Sequence, residues 1–147
     1  MFNETRANRI KAVLNTNVFV SGYFSTRGAS YEILQHWQHS AFQLVISEEI
    51  VEEIVEKFSE LDFSSDVIDN LVLSIYLLGV VTEGLYQVSA VLEDPDDNMF
   101  LAAALEGDAD FIVSFDTHLR ALKHYHGIQI VSPSQFLKIL RQQEVNE

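Results

Sequence analysis

Three polar residues stand where apolar segments stop or begin. Asn15 follows Lys11–Leu14, Asp97 opens an apolar helix, and Asp116 follows Phe111–Ser114. In an open α/β sheet, ligands bind beyond the carboxyl ends of the strands. If the strands in question are parallel neighbours, these three side chains meet at one sheet edge, and a glutamate from the helix after Ile46 joins them. Spacing does not single that glutamate out. Glu48, Glu52 and Glu53 all flank the apolar stripe Ile50, Val51, Ile54, Val55 and Phe58. Carboxylates packed closely repel one another unless they are protonated or neutralised, and a hard divalent cation is the economical neutraliser. Oxygen donors in a chain without cysteine suit Mg²⁺ or Mn²⁺ rather than zinc. Each acid alone also reads as a helix cap; the shared placement gives the set its interest.

The elements that must position these residues alternate. The expected strands are Lys11–Leu14, Phe42–Ile46, Phe111–Ser114 and Ile128–Val131, with Val80-Val81 strand-like. After Asn15-Thr16-Asn17 the apolar pattern resumes at Val18-Phe19-Val20, and Ser21-Gly22 and Arg27-Gly28 bracket a turn or short loop. Ser30 is expected to cap a helix to about His39, and Ser47 a clear helix after the second strand. A further helix runs from Ser65 or Asp66 to Leu78, stopped by Gly79. Asp94 caps the next one, with Pro95 at its first position and Asp96 and Asp97 on the positive end of its dipole. Thr117 to Tyr125 reads as a short helix, His126-Gly127 as a turn, and Ser132-Pro133 as the opening of the final helix. Strands of about five residues alternating with helices imply an α/β sandwich with a mainly parallel sheet.

Composition narrows the class. The 147 residues are 48% hydrophobic with few Gly and Pro, which describes one globular domain with a substantial core. No apolar run reaches membrane-span length, and Met1–Arg6 lacks a signal-peptide core. The absence of cysteine excludes disulfides and thiolate zinc sites and is compatible with a reducing cytoplasm, the expected location. The formal charge is −13, and between Gly28 and Leu119 the only Lys or Arg is Lys57. A polyanion must therefore approach through the basic flanks (Arg6, Arg9, Lys11, Arg27 and Arg120 onward) or through bound cations.

Val13-Leu14-Asn15-Thr16-Asn17-Val18-Phe19-Val20-Ser21 resembles the opening motif of PIN domains. Ser47 to Ile54 resembles the second motif, Asp94 to Ala102 the third, and Ala109 to Leu119 the fourth. The resemblance spans about residues 10–140 of a single 1–147 domain and is nearest to the bacterial branch of toxin components from toxin–antitoxin pairs. It implies a Rossmann-like three-layer sandwich and hydrolysis of RNA phosphodiesters with Mg²⁺ or Mn²⁺. Position by position, it implies Asp97 and Asp116 as metal ligands, Glu53 completing the site, and Thr16 or Asn17 orienting them. At the first acid the chain departs from the family pattern, carrying Asn15 where the family has Asp. An amide oxygen ligates Mg²⁺ but adds no negative charge and accepts no proton. The implied partners are RNA, an antitoxin protein and a second copy of the chain, with no membrane. The alternative is a PIN scaffold that has lost catalysis and binds protein or RNA. A phosphoacceptor domain would need a late lysine, for which Lys123 and Lys138 are poorly placed. His118, His124 and His126 form a weaker zinc candidate.

Overall fold

A computed structural model describes residues 9–89 and 95–146. The chain opens with strand β1 (Lys11–Leu14), helix α1 (Thr16–Phe24), helix α2 (Ala29–Gln38), strand β2 (Gln43–Ser47) and helix α3 (Glu48–Glu60). Helix α4 (Ser65–Leu78) and strand β3 (Gly79–Thr82) follow. After a 3₁₀ turn at Pro95–Asp97 come α5 (Asn98–Glu106), β4 (Phe111–Val113), α6 (Thr117–Arg120), β5 (His124–Tyr125), β6 (Ile128–Val131) and α7 (Pro133–Asn146).

The strands form one sheet in the order β3-β2-β1-β4-β6-β5, parallel throughout except for the β5–β6 pair. Successive strand residues point to opposite faces, yet Ala12, Val13 and Leu14 are all at most 1% exposed, so helices cover both faces and the sandwich has three layers. Phe136 of α7 packs on Phe42 and Phe111, while Trp37 of α2 meets the edge of Phe19 of α1. Phe19, Trp37, Phe42 and Phe136 are fully buried, and each stabilises the fold by roughly 1.5–3 kcal/mol relative to exposure. Arg141 and Glu32, 2.8 Å apart, tie α7 to α2 at the surface.

Several local expectations hold. Ser47 Oγ accepts from the Ile50 N–H and caps α3, and α4 spans Ser65–Leu78 as expected, with Ser64, which the sequence did not single out, as its cap. Ser132 and Gln135 exchange reciprocal backbone bonds, a capping box that opens α7.

Others are corrected. Asn15-Thr16-Asn17 does not simply end a strand, because Thr16–Phe24 is helical and Asn15 caps it. Ser30 is not the cap of α2; Gly28, at φ 100°, precedes that helix and Ser30 is buried within it. The helix expected over Thr117–Tyr125 stops at Arg120. His124-Tyr125 instead pairs with Ile128-Gln129 across His126-Gly127, where both turn residues have positive φ, as a two-residue hairpin of this twist requires. Pro95 opens a 3₁₀ turn rather than the α-helix, which starts at Asn98. The cap at Asp94, the Val91-Leu92 segment and the N-terminal Met1–Arg6 lie outside the described residues.

Candidate functional site

The strand order reverses direction between β1 and β4, since the chain leaves β1 toward β2 on one side and β4 lies on the other. A crevice beyond the carboxyl ends of these two strands is where such a sheet binds ligands. Asn15 lies there. Its N–H donates to the Val113 carbonyl at 2.9 Å, tying the exit of β1 to the exit of β4. Its side-chain oxygen accepts from the Asn17 N–H at 3.2 Å, in the extended conformation usual for an N-cap. The residue is 6% exposed. Asn thus performs the capping work that Asp would perform, without the charge.

Thr16, also buried, donates its hydroxyl to Glu53 Oε2. Glu53 lies one and a half turns into α3, on the side of the helix that turns toward α1. The structure thereby separates Glu53 from Glu48 and Glu52, which spacing left equivalent. Neither of the latter forms a comparable bond to the β1 exit among the hydrogen bonds described. Asn17 is exposed and contributes only its backbone N–H here.

Asp97 ends the 3₁₀ turn and immediately precedes α5, which packs on β1, β2 and β4. Because α5 runs back toward the start of β4, its first turn lies at the carboxyl edge of the sheet. Asp97 is 6% exposed, and it takes αR backbone geometry with no side-chain cap bond. Its carboxylate is therefore not spent on capping α5. Its neighbours Asp96 and Asn98 line an open cleft of about 590 Å³, together with Glu53, Glu49, Glu52 and Glu56 of α3. Among the described residues, no Lys or Arg lines this cleft.

Asp116 is half-buried just beyond β4. Its Oδ1 accepts from the N–H groups of His118 and Leu119 at 2.7 and 3.1 Å, so it caps α6, and its own N–H donates to the buried Ser114 hydroxyl at 2.9 Å. The structure thus joins Asn15, Thr16 and Glu53 directly. It puts Glu53 and the residues flanking Asp97 on one cleft, and holds Asp116 by the β4 exit. Among the described residues, no three His, Cys, Asp or Glu side chains are gathered as a metal-holding group, the three histidines and the three acids included.

Two contributors escaped the sequence reading. Ser114 fixes the backbone that carries Asp116, and only its burial in the fold reveals this. Glu106, at the end of α5, accepts the consecutive N–H groups of Glu83, Gly84, Leu85 and Tyr86 at 2.8, 3.2, 2.8 and 3.3 Å. This carboxylate ends β3 by capturing the donors that would extend it. It also pins the segment whose Tyr86 to Ser89 form the far wall of the cleft.

A mainly parallel sheet whose strand order reverses between β1 and β4, with Asn15 and the Thr16–Glu53 pair at that reversal, defines a three-layer α/β protein. A PIN domain family model matches residues 11–118, and the chain belongs to the PIN domain family. A comparison with curated proteins gives no match. PIN nucleases typically use divalent metals.

Proposed function

We infer that this PIN domain is a metal-dependent endoribonuclease that hydrolyses RNA phosphodiester bonds, the toxin member of a toxin–antitoxin pair. The observation that carries the reading is the Thr16–Glu53 bond, which fastens the one glutamate the family pattern requires to the exit of β1, beside an acid-walled cleft. The donor set suits Mg²⁺ or Mn²⁺: it is all oxygen, mixes amide and carboxylate, and leaves room for the several waters that Mg²⁺ retains. Asn15, Asp97 and Asp116 would hold such an ion, directly or through water, and Glu53 would complete the site. When bound, the ion supplies a water of lowered pKa and stabilises charge on the phosphate. Thr16 keeps Glu53 in register, and the Asn17 N–H keeps the Asn15 amide oxygen in place. The Ser114 hydroxyl and the α6 N–H groups hold Asp116.

The competing reading is a PIN scaffold that binds protein or RNA without cleaving, and it draws on the missing charge at Asn15 and the formal −13 of the chain. Incubation of end-labelled single-stranded RNA with the protein and Mn²⁺ separates the two. The nuclease reading expects metal-dependent fragments that Asp97→Asn abolishes. Fragments that persist in Asp97→Asn, or an absence of fragments with any RNA tried, would refute it and favour the binding module.

A further inference from the structure

Large hydrophobic residues are distributed unevenly over the surface. Of the eleven exposed among the described residues, seven fall between Leu73 and Tyr86. Leu77 and Leu85 are each 72% exposed, and Leu73 and Tyr86 each exceed half. Contiguous exposed apolar surface of this kind marks a place where another molecule docks. The segment also carries the edge strand β3, whose outer side pairs with no strand among the described residues. Gly79-Val80-Val81-Thr82 contains no charge and no proline, and Val80 is 42% exposed. The opposite edge, β5, is protected in the usual ways: it is two residues long, His124 sits on it and Lys123 directly precedes it. Edge β3 lacks such protection.

Charge selects the occupant. The exposed stripe of α4 is acidic in its first turns, at Asp66 and Asp69, and apolar farther on, at Leu73 and Leu77. Glu83 follows β3 directly. The apolar centre is therefore rimmed by acids, in a stretch from Gly28 to Leu119 whose only Lys or Arg is Lys57. A second copy of this chain would bring the same acids against these, at a cost in repulsion. We propose that the β3 edge and the outer face of α4 bind an extended segment of a different protein, one that alternates apolar with Lys or Arg residues. The segment adds a strand to β3 by backbone hydrogen bonds. Its apolar side chains cover Leu77, Val80 and Leu85, and its cations meet Asp66, Asp69 and Glu83. This surface adjoins the acid cleft at Tyr86, which belongs to both, but the proposal does not depend on the nuclease reading.

The test uses the full chain and a fluorescent peptide of about ten residues alternating Lys and Val, enough to span β3. Its N-methylated form and a Glu–Val counterpart serve as controls. The Lys–Val peptide is expected to bind, with affinity falling as salt is raised, and the two controls are expected not to bind. The uncharged pair Leu77→Ser/Val80→Ser should weaken binding about tenfold, while Glu52→Gln/Glu56→Gln in the cleft should change it far less. Both altered positions in the first pair are exposed, and circular dichroism verifies that the fold is kept. Unchanged binding by the β3 pair, or loss through the cleft pair, overturns the proposal. So does sedimentation of the chain alone as a dimer that Leu77→Ser/Val80→Ser dissociates, which would give the face to a second copy.

Discussion

Replacing Glu106 by Ala removes one carboxylate from four backbone donors at once. Two of the bonds, from Glu83 and Leu85, are 2.8 Å long, within the range of strong charge-assisted bonds, whereas those from Gly84 and Tyr86, at 3.2 and 3.3 Å, are marginal. All four are solvent-accessible, so water competes and each strong bond is worth about 1 kcal/mol net rather than its full strength. Two such bonds give ~2 kcal/mol, which raises the local opening equilibrium of the 83–86 turn roughly 30-fold. Because a turn on the surface opens without unfolding the sheet, the global melting temperature should fall by only a few degrees. Hydrogen exchange is therefore the assay. The amides of Glu83 to Tyr86 should lose protection in Glu106→Ala by about that factor, those of β1 and β4 should not, and Glu106→Gln should fall between. Equal exchange at Glu83 to Tyr86 in Glu106→Ala and the parent would refute the argument that this carboxylate holds the cleft wall.

Asp116→Ala should destabilise the fold by about 1 kcal/mol through loss of the α6 cap, and Asp116→Asn by much less because Asn caps nearly as well. Both should shrink the rise in melting temperature produced by Mn²⁺, so paired melts with and without metal check both parts. Burial pushes the Tyr23 hydroxyl above its ordinary value of 10.0. The folded state thus resists ionisation more than the unfolded state. The stability Tyr23 contributes is full below pH 10 and declines as pH rises through the folded value. Melts taken from pH 9 upward should show this decline, and Tyr23→Phe should reduce it.

Strands and long helices were legible because their periodicity is unopposed. Ile50, Val51, Ile54 and Phe58 all lie buried on one face of α3, and Ser47 caps it as its type suggests. Helix α1 was not legible, because Val18, Val20, Gly22 and the aromatic residues Phe19, Tyr23 and Phe24 are poor helix formers, and packing of Val18, Phe19 and Gly22 overrides that preference. The helix expected through Tyr125 failed for a related reason. His126-Gly127 reads as a turn, but a hairpin also needs a partner strand, which only β6 supplies. Within the site, sequence spacing found the exits of β1 and β4 but left three glutamates equivalent. The family resemblance pointed to Glu53, and the approach of α3 to Thr16 supplies a physical reason that spacing did not. The Glu106 clamp has no local signature, because its four donors lie 20 to 23 residues away.

Asn15→Asp tests the central claim most directly, because it restores one negative charge at the sheet reversal without disturbing the cap. A divalent ion and a carboxylate about 4 Å apart attract by several kcal/mol at an effective dielectric near ~20. Desolvation returns part of that, leaving enough to tighten metal binding by about an order of magnitude or more. Calorimetric titration with Mn²⁺ should therefore give Asn15→Asp a markedly lower Kd than the parent, with faster cleavage of labelled single-stranded RNA. Equal Mn²⁺ affinity in the two forms would mean that Asn15 does not face a metal site, and would contradict the account.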